Sequence, residues 1–384
     1  MSEKPTISRH LPILQGVLPI TADRIPAEIL AGITLAAIAI PEVMGYTKIS
    51  GTPVITGLYT MLIPTALFAL FGSSRHLVVG ADSATAAILA AGLVGIASIG
   101  SEQYLGLAGV LALMAAVFLI LARVMRLGFL ADFLSRTVLI GFLTGVGVQV
   151  ALGQIAGMLG LKGSGHGTLG KLWNNLQQLG QFNRYELMTT LGVSVVILGL
   201  KKLSKKIPAE LIAVIGALVA SGAFGLNTKV HVLGTVPSGL PHLGLPAVDW
   251  NWQVITTLIP TAFAMFVVIL AQSAATSRAY ATRYDESFSE NSDLVGLALA
   301  NIGAGLSGTF VVNGSPTKTQ IVDSAGGRSQ LSLLAMAAIV LLVLLFLTAP
   351  LAFMPEAALS AIVFLIGVGL IDIAGMRKVF AQRR

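Results

Sequence analysis

Twelve apolar stretches, each bounded by charges or turn residues, divide this sequence and leave few folds open to it. They run over 27–49, 53–72, 83–99, 104–124, 133–158, 187–200, 208–226, 253–277, 292–308, 315–326, 331–349 and 355–372. A helix crosses a bilayer with ~20 residues, in a range of roughly 17–25, and most of these stretches reach it. Of the 384 residues, 55% are hydrophobic and 11% charged, where soluble domains carry about a quarter charged. The fold class expected is an all-α polytopic membrane protein. The first 26 residues hold no apolar run long enough for a signal peptide, so insertion falls to the first span. The 42 glycines suit close helix packing and broken helices in lipid.

Two stretches depart from the pattern, 83–99 by its polar start and 315–326 by its length. Both follow a β-like piece ending in glycine, Leu77-Val78-Val79-Gly80 in one case and Phe310-Val311-Val312-Asn313-Gly314 in the other. Each is the third element counted from a span with a polar group in an apolar run, Glu42 in span 1 and Gln272 in span 8. Glu42 precedes Gly80 by 38 positions and Gln272 precedes Gly314 by 42. Matching interrupted segments in two halves indicate an internal repeat with a binding site between the halves. Seven spans precede the second copy, an odd number, so the copies insert in opposite orientations.

Charge placement fixes the orientation expected. With the N-terminus in the cytoplasm, the outer side receives Lys48, Lys162, Lys171, Arg184 and Lys229, and Lys318 stays in the membrane. The remaining eighteen of the 24 basic residues fall on the cytoplasmic side, as the positive-inside rule requires. The formal net charge of +7 is thus a topology signal, and no nucleic-acid partner is expected. The localisation expected is the inner (plasma) membrane, multi-pass. The units expected are a cytoplasmic segment at 1–26, a first repeat at 27–226, a linker at 227–250, a second repeat at 251–372 and a basic tail at 373–384. Residues 160–185 are read as an outer loop with a short surface helix carrying Trp173, and Trp250 and Trp252 as anchors of span 8.

Lys318 is the most informative single residue. A cation at the centre of a span costs about 2.5–3.5 kcal/mol on insertion scales. Snorkelling to an interface is the alternative, but Arg328, ten positions on, is better placed for the cytoplasmic boundary. Ten helical residues rise roughly 15 Å, about half a bilayer core, which leaves Lys318 near the middle. Ser315 and Pro316 form an N-cap and first-turn pair ahead of it, with Thr317 beside it. A half-helix starting there favours an anion through its dipole and free N–H groups.

Glu42 lies between Pro41 and Gly45, where the helix is expected to kink or unwind. A carboxyl out of water favours its neutral form, so Glu42 is a candidate to take up a proton with an anion; neutralising Lys318 is its structural alternative. Tyr46, one turn on, faces the same way and either hydrogen-bonds a ligand or packs. Gly80, Ala81, Asp82 and Ser83 open the other half-helix, with Asp82 as its N-cap more than as a ligand. Gln272 and Ser273 complete the candidate set, with interhelical hydrogen bonding as their plain role.

Catalytic signals are missing: there is no H-E-x-x-H, Walker A or G-x-S-x-G motif. The five histidines, His10, His76, His166, His231 and His242, are scattered, and there are no cysteines. No enzyme activity, cofactor or metal is expected, and transport would be secondary. The partners expected are a small anion, protons and the bilayer, with a homodimer admitted.

Several motifs then resemble the sulfate permease family, called SulP in microbes and solute carrier family 26 in animals. Pro41-Glu42-Val43-Met44-Gly45-Tyr46 is similar to the family's first-span Pro-Gln-x-x-Ala-Tyr. Gly57-Leu58-Tyr59, Phe71-Gly72-Ser73-Ser74-Arg75-His76, Phe133-Leu134-Ser135-Arg136 with Gly141-Phe142, and Gly326-Gly327-Arg328-Ser329-Gln330 follow in order. The resemblance implies an inverted repeat of seven plus seven spans, with a core of spans 1–4 and 8–11 and a gate of spans 5–7 and 12. It puts the anion between spans 3 and 10, enclosed by spans 1 and 8, with sulfate, bicarbonate, halides and dicarboxylates among family substrates. Carried over, the family's serine–arginine pair falls on Thr317 and Lys318, keeping the charge but losing the bidentate fork. The first-span glutamine becomes Glu42 and an eighth-span acid becomes Gln272, so proton coupling through Glu42 is a hypothesis specific to this chain. Spans 13 and 14 and the STAS domain find no counterpart after Phe380, and an incomplete gate is expected. The function expected is secondary, alternating-access transport of a small anion of the sulfate, bicarbonate or dicarboxylate class, with proton symport as a hypothesis for its coupling; a nucleobase transporter of the uracil-permease type and an anion channel are the alternatives.

Overall fold

The computed structural model describes residues 13–125, 136–161, 167–204, 209–234, 236–369, 371–373 and 375–377. Residues 1–12 of the N-terminal segment, Phe133-Leu134-Ser135, Gly163-Ser164-Gly165 and residues 378–384 of the tail lie outside them.

Fifteen α-helices, three short 3-10 turns and two very short strands are present among the described residues. The first repeat opens with α1 (Ile25–Ser50), α2 (Val54–Thr60) and α3 (Ile63–Phe71), followed by strand β1 (Val79–Gly80) and α4 (Ser83–Leu93). It continues through α5 (Glu102–Val124), α6 (Arg136–Leu159), α7 (Gly167–Gln177), α8 (Arg184–Leu203) and α9 (Ala209–Ala223). The second repeat has α10 (Trp252–Tyr284), α11 (Glu290–Leu306), β2 (Asn313–Gly314), α12 (Pro316–Ser324), α13 (Leu331–Phe346), α14 (Thr348–Leu351) and α15 (Glu356–Gly369). Ala22–Ser50, Val54–Phe71, α5 and α10 are long and apolar enough to cross a membrane, and shorter apolar helices lie between them. Both short segments foreseen in the sequence are present, each a β-like piece leading into a half-length helix.

Three expectations change on contact with the fold. α1 runs unbroken through Pro41 to Ser50; Pro41 removes one N–H and strands the Ala37 carbonyl, but the helix does not unwind. The second span is two helices, because Pro64 supplies no N–H to the Thr60 carbonyl. The Thr65 hydroxyl takes that place, 3.1 Å from Thr60 O and 2.8 Å from Val79 O, so the break is tied to β1. Helix α10 continues to Tyr284, past the expected end at 277, and stops at Asp285 in a left-handed conformation. The surface helix α7 is present with Trp173 exposed, and Trp250 and Trp252 are exposed at the start of α10.

Packing falls into two groups. Helix α11 lies on α5 and α3, α10 on α5 and α4, and α1 on α13, α2, α4 and α12. Separately, α15 lies on α6, α8 and α9, and α8 on α9. α1 meets both groups through its contacts with α15 and α9. The crossing of α5 and α11 is backbone-close: a Cβ at Gly305 would lie 2.8 Å from the Gly109 carbonyl oxygen. Segment 230–234 crosses over the start of α15, where Leu233 N–H donates to Met354 O and Glu356 N–H to His231 O.

Candidate functional site

β1 and β2 pair antiparallel, Val79 opposite Gly314 and Gly80 opposite Asn313. Two copies of one motif in opposite orientation meet in this way, and the ladder brings the starts of α4 and α12 together. Asp82 caps α4: its Oδ1 accepts from Thr85 N–H at 2.8 Å and from the Thr85 hydroxyl at 2.5 Å. Ser315 caps α12, its Oγ accepting from Lys318 N–H at 3.3 Å. The next N–H groups, at Ser83, Ala84 and Thr317, sit in first turns that offer no intrahelical acceptor. Two positive dipole ends therefore face one small volume.

Lys318 fills the seam between them. Its residue is 2% exposed, and its Nζ donates to the Ala81 carbonyl at 2.6 Å. Glu42 Oε2 is 3.8 Å from the ammonium, a loose pairing, and the Tyr46 ring centroid lies 4.8 Å from it. The Tyr46 hydroxyl donates to Glu42 Oε2 at 3.3 Å. Among the described residues Glu42 is the one carboxylate within 4 Å of this amine. Asp82 acts on it from further off, and Glu42 also feels the charges of Glu210 on α9 and Lys201 on α8.

The eleven residues named from the sequence are thus largely gathered. Glu42, Tyr46, Gly80, Ala81, Asp82, Ser83, Gln272, Ser273, Ser315 and Lys318 are buried around the two helix starts. Thr317 differs: it is exposed beside Pro316, because one residue along a helix turns the side chain by about 100° from Lys318. Gln272 and Ser273 serve the ladder. The Ser273 hydroxyl accepts from Gly314 N–H at 3.1 Å and donates to Asn313 Oδ1 at 3.2 Å.

Asn313, which the sequence places only at the end of a β-like piece, ties the centre together. Its Nδ2 donates to Asp82 Oδ2 at 2.9 Å and to Gln272 Oε1 in a short contact. The signal available was an amide between a β-branched run and the glycine that matches Gly80 in the other copy. A Cβ on Gly314 would lie 2.6 Å from Ser273 Oγ, so the close approach of α10 needs glycine there.

At the cytoplasmic end expected from the charges, the Arg75-His76 motif anchors the segment ahead of β1. Asp293 Oδ1 accepts from the backbone N–H groups of Ser73 and Ser74, both at 2.8 Å. His76 Nε2 lies 3.0 Å from Glu286 Oε2, with the ring stacked on Tyr284 at 4.7 Å. Arg328 pairs with Asp323 at 2.9 Å and lies over Tyr284. Burial alone would raise the Glu286 carboxyl, but the His76 hydrogen bond and the charges of His76, Arg75 and Arg328 outweigh it and hold the group below its usual range.

The fold is shared with solved transporters. The transmembrane domain of the cyanobacterial bicarbonate transporter BicA superposes with a TM-score of 0.84 at 25% identity, covering 94% of this chain and 95% of that one. SLC26A9 superposes with a TM-score of 0.86 at 21% identity, over 94% of this chain and 60% of that one. In sequence, a probable sulfate transporter of Mycobacterium tuberculosis is 33% identical over 358 residues, 93% of this chain and 64% of the relative. Human solute carrier family 26 member 6 is 28% identical over 98% of this chain and 53% of its own length. The chain therefore spans between about half and two thirds of these curated relatives. The profile of the sulfate permease family matches residues 25–383, and the chain belongs to that family.

Proposed function

We propose that this chain is the membrane part of a secondary transporter for a small anion of the sulfate, bicarbonate or dicarboxylate class, with Lys318 as the anion's counter-charge. The observation that carries the reading is a buried ammonium, loosely paired at 3.8 Å, between two helix starts. The family relatives with sulfate and bicarbonate in their names support the same substrate class. The core would be α1–α5 with α10–α13 and the gate α6, α8, α9 and α15, which follows the two packing groups. Movement of one group against the other would carry the site between the faces. The cytoplasmic N-terminus and plasma-membrane location belong to the same proposal, supported by the basic bias.

Charge counting adds a coupling ion. With Glu42 and Asp82 ionised against Lys318, the centre carries a formal charge of −1. Each helix start adds roughly +0.5, so the field is near zero and an anion gains little. One proton on Glu42 lifts the sum to about +1, which attracts an anion of this class. Anion and proton would then enter together and leave together. Uptake of labelled sulfate, bicarbonate and fumarate into proteoliposomes at several pH gradients tests this. Anion uptake driven by an inward proton gradient supports the proposal; uracil uptake with no anion uptake overturns it in favour of a nucleobase carrier, and conductance without coupling overturns it in favour of a channel.

A further inference from the structure

Beyond the centre, toward the C-terminal ends of α1 and α4, lies a cavity of about 350 Å³. Its walls come from the last turn of α1, the second half of α4 and the 94–99 segment after it, Tyr104 and one face of α6. Most of that wall is small and apolar. The polar side chains are Lys48, Tyr104, Gln149 and Gln154, and Lys48 is the one charged group among the residues that line it. The Tyr104 hydroxyl is committed to the Ser50 carbonyl at 2.6 Å, which leaves the ammonium and the two amides to face a ligand.

Lys48 is held by the far packing group. Its side chain is 18% exposed, and its Nζ donates to Glu356 Oε2 and Glu356 O, both at 3.1 Å, and to Ser360 Oγ at 3.4 Å. Glu356 and Ser360 belong to α15, which packs on α6, α8 and α9, whereas Lys48 belongs to α1. The Glu356 side chain is 43% exposed, so of the two ions the carboxylate is the one that water can receive. In the cavity wall, Ala87 and Val150 form a buried apolar cluster with Val363, with Ile49 against it. Along α1 the order is Glu42, then Gly45, where a Cβ would meet Val363 at 2.7 Å, then Lys48. The apolar cluster therefore stands between the cavity and the Lys318 centre.

An ammonium drawn largely out of water is costly to leave without a counter-charge. A carboxylate that joins two moving groups is the partner most readily exchanged for an anionic ligand of like geometry. We propose that the cavity is an outer waiting site for a small oxyanion or carboxylate, in which Lys48 trades the Glu356 carboxylate for the ligand while Gln149 and Gln154 donate from α6. The trade unfastens α1 from α15, so arrival of the anion loosens the closure above the apolar cluster. The inference rests on the anion-transport reading, and its test is separable from it.

The chain has no cysteine, which makes a single-site label clean. Gly153 lines the cavity, and a Cβ there meets nothing within 4 Å. Intact right-side-out vesicles carrying Gly153→Cys in the whole protein are labelled from outside with a membrane-impermeant maleimide. Sulfate, bicarbonate and fumarate are added in turn. At least one is expected to slow labelling, with the half-protecting concentration raised roughly tenfold or more by Lys48→Ala, nearly kept by Lys48→Arg, lowered by Glu356→Gln and unmoved by Lys318→Ala. Protection by none of the three, protection indifferent to Lys48→Ala, or a shift in the same direction from Lys48→Ala and Glu356→Gln overturns the waiting site; the last result leaves only a latch. Uptake measured in the same vesicles reports on the transport reading separately. Lys48-dependent protection without uptake sinks that reading and spares the site, and uptake without such protection does the reverse.

Discussion

The Lys318 ammonium donates to the Ala81 carbonyl at 2.6 Å, joining the starts of two half-helices 237 positions apart in the chain. The contact puts a positive charge at the meeting point of two helix dipoles, and the proposed transport function turns on that placement. The amine is shielded from bulk solvent, and α4 and α12 adjoin through the β1–β2 ladder.

Glu42 is the proposed carrier of the proton. Glu42→Gln keeps the shape and a hydrogen-bond partner for Tyr46 but fixes the centre in its neutral-carboxyl state. Anion uptake by this variant is expected to lose its dependence on a proton gradient while exchange of anion for anion persists. Measuring both modes in one vesicle preparation checks it, and an unchanged pH dependence removes Glu42 from the coupling.

Asn313 holds Asp82, Gln272 and Ser273 in one network. Asn313→Ala leaves several buried polar groups without a partner, a loss of about 2–4 kcal/mol. Asn313→Asp is expected to be worse, because an acceptor replaces the donor that faces Asp82 and Gln272. Thermal unfolding in detergent should rank wild type above Asn313→Ala and Asn313→Asp lowest. An equal melting point for all three would show the network to be dispensable.

Glu286, outside the membrane-spanning segments, gives a pH test. Its carboxyl is held below the ordinary value of 4.5 in the folded protein. The sign follows: its stabilising contribution is complete above about pH 4.5 and is lost as pH falls through the lower folded value. At pH 7, Glu286→Gln should lower the melting temperature by about 1–3 °C, the size expected for a partly exposed ion pair. The gap between variant and wild type should begin to narrow below about pH 4.5 and close once the pH has fallen through the lower folded value. A gap that persists into acid assigns the effect to packing instead of charge.

Much of this architecture was legible in the chain because membrane spans announce themselves by length and because a β-branched run ending in glycine is rare among them. The burial of Lys318 followed from its distance to Arg328, a matter of helical rise. Other features depend on contacts between distant segments. Nothing near Pro64 tells whether its lost hydrogen bond kinks a span or splits it; the Val79 carbonyl, recruited by Thr65, decides for the split. The last turns of α10 carry Arg278 and Arg283, which read as a loop, yet Arg278 pairs with Glu290 and Arg283 with Asp323. Asn313-Gly314 looks like a turn in isolation, and its amide acquires a role only when Asp82 and Gln272 arrive from elsewhere. Continuity of α1 through Pro41 likewise reflects helices packed around it.

The most direct measurement is equilibrium binding of labelled sulfate, bicarbonate and fumarate to the purified protein, wild type against Lys318→Ala and Lys318→Arg. Removal of the ammonium is expected to weaken binding of the favoured anion by roughly a hundredfold or more, the scale of a buried charge-assisted contact, and Lys318→Arg to retain most of it. Undiminished binding by a folded Lys318→Ala protein would contradict the assignment of this residue as the anion's counter-charge.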